Sequence, residues 1–189
     1  LQVLCDTSYI SANFAAGTMS PNTWRTSWVR ICRFASAQLI AARIAPLGWH
    51  VVVYFEAQDL PELWDFFTTL QTTVVVDHMG RPDVTKPVDG PEFELFIRLL
   101  REHPNVWSKV SCPERLSKSG PPGYDDVVPF ARRIVESFPD RVLWGTDWPH
   151  PNLKNHMPDD GKLVDVLPKI AVTPDLQRKL LVDNPMRLY

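Results

Sequence analysis

The stretch "RVLWGTDWPHPN" (residues 141–152) carries an apolar run, Val142 to Trp144, into a small-residue turn. There it presents a single carboxylate, Asp147, followed at once by Trp148, Pro149 and His150. Other apolar runs end in the same manner. "HVVVYF" (50–55) offers Tyr54 and Glu56, "TTVVVDH" (72–78) offers Asp77 and His78, and "NVWSKVS" (105–111) is followed by Glu114 and Arg115 in "SCPERLS". Carboxylate, imidazole, phenol and guanidinium are the groups of acid–base catalysis and anion binding. Their recurrence at the same place in each run is more than composition predicts.

Each of these residues also has an ordinary structural reading. Tyr54 can pack its ring in a core and bond its hydroxyl to backbone. His78 can cap the following loop, Arg115 can pair with Glu114 at the surface, and Asp147 can cap the turn after its run. His150 and His156 read equally well as structural loop histidines. Cys112 follows a run, but no histidine base lies near it in sequence, which argues against a nucleophile.

The elements that must position these groups follow from the apolar patterns. The runs at 50–55, 72–78 and 141–147 are mostly continuous, as in strands buried on both faces of a parallel sheet. The run at 105–111 alternates, with Val106, Ser108 and Val110 against Trp107 and Lys109. Helical patterns lie between them. "DLPELWDFFTTL" has Asp59 as a candidate N-cap and Pro61 in the first turn. "GPEFELFIRLLREH" spaces Phe93, Phe96, Ile97 and Leu100 along one helical face. "DDVVPFARRIVESF" does the same with Val128, Ala131, Val135 and Phe138, and "TPDLQRKLLVDNP" opens on a Thr cap and is expected to stop at Asn184-Pro185.

Strand cores beginning near Val51, Val74, Val106 and Val142, each followed by a helix, make the βα repeat of a parallel α/β protein. A complete (β/α)8 barrel takes about 250 residues and places its active site at the C-terminal ends of the strands. With 189 residues and four clear repeats, the expected architecture is the C-terminal part of a TIM-like (β/α)8 barrel, incomplete at its N-terminus, within one domain spanning 1–189. Residues 1–40, dominated by Ser, Thr, Ala and Trp with no clean period, receive no element.

Composition narrows the function classes. Hydrophobic residues make up 44% and charged residues 22%, globular values that exclude wholesale disorder. A net charge of −2 with no basic run gives no reason to expect a nucleic-acid partner. No apolar run reaches the roughly 18 residues of a membrane span, and no basic flank with an apolar block opens the chain as a signal peptide would. Cys5, Cys32 and Cys112 are too widely spaced for a disulfide framework or zinc knuckle. A reducing cytoplasm is the expected compartment.

The stretches "IAPLGWHVVVYFEA", "TTVVVDHMGRPD", "NVWSKVSCPERLS", "RVLWGTDWPHPN" and "LLVDNPMRLY" resemble the amidohydrolase superfamily, in its branch of 2-pyrone-4,6-dicarboxylate hydrolases, the lactonases of lignin-derived aromatic catabolism. The resemblance runs from about residue 43 to 189 and leaves residues 1–40 unmatched. It implies that Asp147 is the general base that activates water, and that His78 helps polarise the lactone carbonyl. It further implies that Tyr54, Arg115 and Asn152 contact the substrate, a flat dicarboxylate lactone. The chemistry is consistent: a dianion needs bidentate cations, and a lactone needs a base for water and donors for the developing oxyanion. Trp144 and Trp148 are expected to dry Asp147 and raise its pKa.

Many amidohydrolases hold a divalent metal through a His-x-His on the first strand. No His-x-His occurs among His50, His78, His103, His150 and His156, which fits either a metal-free enzyme or, the favoured reading, a chain missing its first strand; because the resembled branch looks metal-independent, no metal and no cofactor are expected. Arg25, Arg30 and Arg33 lie where the family keeps two further substrate arginines, but their surroundings do not match. These gaps predict a poor catalyst if the 189 residues stand alone. The rival readings are another lactonase of the family, a lactone isomerase, a metal-dependent decarboxylase, or an inactive truncated chain.

Overall fold

In the computed structural model the description covers residues 4–6 and 28–189 except 152, 154 and 155, with side chains from residue 36 onward. Five parallel strands form one sheet in sequential order: β1 (Leu4–Asp6), β2 (His50–Tyr54), β3 (Thr73–Val76), β4 (Val106–Ser111) and β5 (Val142–Gly145). Sequential parallel order, with helices in the connections, is the winding of a βα barrel wall. Four of these strands coincide with the apolar runs. The fifth, β1, pairs with β2 through Leu4, Cys5 and Asp6. It corrects the expectation of no element in residues 1–40, as does α1 (Trp28–Ile44). A three-residue strand is too short to show a period, and α1 interleaves Arg33, Ser36 and Gln38 with apolar residues so that no clean stripe emerges.

The register separates two faces. Val52, Val75 and Trp107 stand side by side in neighbouring strands, and with Leu143 and the partly buried Leu188 they form an inner apolar layer. The opposite face packs against the helices in a larger core containing Val51, Val53, Val74, Val76, Val106, Val110 and Val142. Alternation along a strand points i and i+2 to the same side, so the inner face continues upward from apolar Val52, Val75 and Trp107 to polar Tyr54, Asp77, Lys109 and Ser111.

The helices cover the outer face. α2 (Leu60–Thr69) buries Leu60, Leu63 and Phe67, although Asp59 makes no side-chain capping bond. α3 (Pro91–Glu102) buries Phe93, Phe96, Ile97 and Leu100 as the spacing predicts, with Leu99 besides. α4 (Pro113–Leu116) is a single turn following β4. In α5 (Val128–Ser137) the buried face is Phe130, Ala131, Ile134 and Val135. Val128 and Phe138 are only partly buried at its edge, so the face is rotated from the expected one. α6 (Asp160–Val164) and α7 (Leu167–Ile170) lead to α8 (Pro174–Arg178), whose Thr173 accepts from Leu176 N–H as expected of a cap. The chain does not stop at Asn184-Pro185: a π-helical turn, Lys179–Asp183, runs on into α9 (Asn184–Leu188). Pro185 is tolerated there because it occupies the first turn of α9, where a missing N–H costs little.

Candidate active site

The ends of β2, β3, β4 and β5 deliver their polar groups to one place. β3 hands over to a turn in which His78 and Met79 take left-handed backbone angles, φ 53° and 60°. β4 ends in left-handed Cys112 (φ 65°), which starts α4 and its Arg115, and β5 ends two residues before left-handed Asp147 (φ 69°). Non-glycine residues with positive φ are uncommon and cluster at functional sites. Here they turn side chains from three adjacent strand ends toward one another.

The centre is Arg115. Its Nη2 donates to Asp147 Oδ2 at 2.8 Å and to His78 Nε2 at 2.9 Å, while its Nε donates to Cys112 Sγ at 2.7 Å. A guanidinium only donates, so His78 Nε2 must be the acceptor and the ring proton sits on Nδ1. That nitrogen donates to Ser111 Oγ at 2.8 Å. Asp147 Oδ1 lies 3.5 Å from His78 Nε2. Lys109 and Asp77 pair at 2.6 Å on the same inner face.

Electrostatics follow from burial and these charges. Desolvation, reinforced by Arg115, Lys109 and Arg81, pushes His78 down to about 3, so its imidazole is neutral across the physiological range. Burial raises Asp147 above the ordinary carboxylate range, with Arg115 pulling the other way. Burial also pushes the Cys112 thiol well up, which keeps it protonated and removes it as a nucleophile. The aromatic walls expected around Asp147 are not its source of desolvation. Trp148 is 75% exposed, and Trp144 packs against the helix-side core. The side chain of Asp147 is 15% exposed because Arg115 and His78 close over it.

Tyr54 borders the cluster, its ring 5.8 Å from that of His78 and edge-on. Its hydroxyl donates to Glu56 Oε1 at 2.6 Å, and Glu56 also accepts from Arg81 Nε at 3.1 Å. Burial and the Glu56 bond raise the Tyr54 phenol, so it stays a donor. Of the residues singled out in the sequence, Asp147, His78 and Arg115 meet directly and Tyr54 lies beside them. Arg115 pairs with Asp147 rather than with Glu114. Asn152 lies outside the described residues. His150 is buried behind the site and His156 is exposed in a loop. Ser111 and Lys109 were not singled out. The signal was present in the alternation of "NVWSKVS", which places Trp107, Lys109 and Ser111 on one face.

His78, Cys112 and Asp147 offer ligand atoms within 4.8 Å of one another, a grouping to weigh against a divalent metal. It does not fit. The Arg115 guanidinium already contacts all three ligand atoms or their side chains and supplies the positive charge there.

The family model described as Amidohydrolase matches residues 18–189, beginning upstream of the residues that carried the sequence resemblance. A 2-pyrone-4,6-dicarboxylate hydrolase of Comamonas testosteroni is 76% identical over 157 residues, covering 79% of this chain and 52% of that protein. A 4-sulfomuconolactone hydrolase of Hydrogenophaga intermedia is 40% identical over 145 residues, covering 76% and 47%. A crystal structure of a Pseudomonas putida protein, described provisionally as a 2-pyrone-4,6-dicarboxylic acid hydrolase, superposes with a TM-score of 0.64 at 29% identity, covering 78% of this chain and 54% of its own. The chain thus spans about half the length of the curated relatives it matches. Strand order, the site at the strand ends and these matches agree: the chain belongs to the amidohydrolase family.

Proposed function

We propose that the protein carrying this chain hydrolyses the cyclic ester of 2-pyrone-4,6-dicarboxylate, or a closely similar carboxylated lactone, to an open-chain tricarboxylate in aromatic catabolism, without a metal. The chemistry rests on one observation, the Arg115 guanidinium held between Asp147 and His78. The substrate class rests on the 76% identical Comamonas relative.

Asp147 Oδ2 is engaged by Arg115, which leaves Oδ1 to take a proton from water. The hydroxide formed attacks the lactone carbonyl, whose oxygen gains charge. Arg115 and His78 are the donors within reach of that charge. In the observed state His78 Nε2 accepts, so it donates to an oxyanion only in the other tautomer. Ser111 permits the exchange, because its hydroxyl accepts from Nδ1–H in one tautomer and donates to Nδ1 in the other. The ring C–O bond then breaks, and the leaving oxygen takes the water-derived proton from Asp147. Tyr54 and Asn152 complete the substrate contacts in this reading, and Arg115 divides its donors between Asp147 and a substrate carboxylate. Three widely spaced cysteines fit a reducing, cytoplasmic setting. Among the described residues no helix is long and apolar enough to cross a membrane.

The test is a spectrophotometric assay of the purified full-length protein on 2-pyrone-4,6-dicarboxylate, with 4-sulfomuconolactone as comparison. Loss of the pyrone absorbance with kcat/KM well above that for the sulfonated lactone supports the reading. Turnover of the comparison alone would overturn it.

A further inference from the structure

His150 was left outside the reaction, yet it is 3% exposed and tied on three sides. Its backbone N–H donates to Asp147 O at 2.8 Å. Its Nδ1 lies 3.4 Å from Glu114 Oε1, and its Nε2 lies 3.2 Å from Asp160 Oδ1. Glu114 immediately precedes Arg115, and its side chain is fully buried at 0% exposure. A carboxyl group buried to that degree needs a partner, and the His150 ring is one. The ring therefore joins the turn that carries the base to the turn that carries the guanidinium.

We propose that His150 is a positioning residue: it brackets the Asp147 turn to the Glu114–Arg115 turn and so sets the distance between base and guanidinium. The inference rests on the lactonase reading for its kinetic consequences but not for its structural ones. Both bracketed turns depend on outside support. Cys112, Asp147 and His150 hold φ of 65°, 69° and 57°, and such residues keep these angles only where surrounding contacts over-determine them. The sheet fixes Gly145 against Ser111, but beyond those residues the strands end and the hydrogen-bond ladder no longer couples the two segments. From there to the 2.8 Å contact of Arg115 with Asp147, the bracket through His150 and Glu114 is a buried polar link between the turns. Asp160, at the start of α6 and 45% exposed on its side chain, holds the far edge of the ring and keeps it from rotating away from Glu114.

The decisive pair of variants is His150→Asn and His150→Gln. Asparagine tolerates the left-handed backbone but is too short to reach Glu114, whereas the glutamine amide can reach it. The readout is the titration of the Asp147 carboxyl by carbon NMR, assigned by its loss in Asp147→Asn. If His150 holds Arg115 against the base, His150→Asn raises the Asp147 pKa by about one unit as the favourable charge recedes. His150→Gln recovers most of that shift. On the lactone, kcat of His150→Asn falls on the order of tenfold to a hundredfold, the cost of a misplacement of about 1 Å, while KM stays within about threefold. Circular dichroism checks that both variants fold. An Asp147 titration unmoved in folded His150→Asn, or equal shifts in the two variants, would overturn the bracket. If the native protein turns over no pyrone, the functional reading falls, and the carboxyl titration still decides the role of His150.

Discussion

The two ends of the sheet use polar side chains in opposite ways. At the N-terminal end four of them, Thr72, Asn105, Arg141 and Asn184, are bonded to backbone. Asn105 Nδ2 donates to the carbonyls of Leu70 and Thr72, Arg141 donates to those of Leu100, His103 and Val106, and Asn184 donates to those of Pro139 and Val142. Thr72 donates to Trp49 O. These bonds satisfy carbonyls at the entry to the strands, which would otherwise be buried without donors. At the C-terminal end the bonds run from side chain to side chain: Arg115 to Asp147, His78 and Cys112, His78 to Ser111, and Tyr54 to Glu56. Groups bonded to backbone are committed to the fold. Groups bonded to one another can exchange partners for a substrate. The contrast separates a stability end from a chemistry end in one sheet, the division expected of a βα barrel.

Substitutions at the two ends should therefore fail differently. The largest expected effect is Asp147→Asn, which removes the proposed base and lowers kcat on the order of 10²–10⁴-fold; steady-state assay of the full-length protein checks it, and retention of half the rate would remove Asp147 from the mechanism. Arg115→Met follows, with a loss on the order of 10²–10³-fold from the missing donor. It also raises the acidic limb of the rate profile, because Arg115 is what opposes the burial-driven rise of Asp147. At the other end, Arg141→Ala should cost about 2–4 kcal/mol by taking the guanidinium donors from the Leu100 and Val106 carbonyls, seen as a lower denaturation midpoint, while the folded fraction keeps its kcat/KM. Equal damage to activity would erase the distinction between the ends.

A smaller effect comes from His78. Its folded value near 3 lies below the ordinary 6.5, so between these values the unfolded chain binds a proton that the folded chain refuses. Its contribution to stability is complete above pH 6.5 and declines as the pH falls toward 3. Proton NMR of the His78 ring should show no titration near neutrality, and in Arg115→Met the titration should move upward. The smallest expected effect is none: chelators should leave the rate unchanged, as Arg115 supplies the charge between the candidate ligands. Loss of activity on chelation, restored by a divalent metal, would refute that assignment.

Much of the wall of this barrel segment was legible in the sequence. β2, β3, β4 and β5 announce themselves as apolar runs, because a strand buried on both faces has no polar position to spend. The polar residue after each run marks the mouth for the same reason: it stands where burial ends. What remained hidden was short, rotated or, like α1, without a clean apolar stripe. β1 is too brief for a period, α5 turns its Ile134 side inward, and the π-helical turn carries the chain past Pro185. The tryptophans of "RVLWGTDWPHPN" read as walls around Asp147, yet the left-handed turn at Asp147 leaves Trp148 in solvent.

By itself, then, the sequence determined the βα alternation, the strand ends and the identity of Asp147, His78, Tyr54 and Arg115 as the groups to watch, since each of these depends on neighbours within one run. Only the tertiary structure decided who meets whom. That Arg115 leaves Glu114 for Asp147, that Arg115 also sets the tautomer of His78, and that His150 ties the two turns together are contacts between residues about 30 or more positions apart. They are set by the register of adjacent parallel strands and by left-handed turns at their ends, quantities that no local pattern encodes.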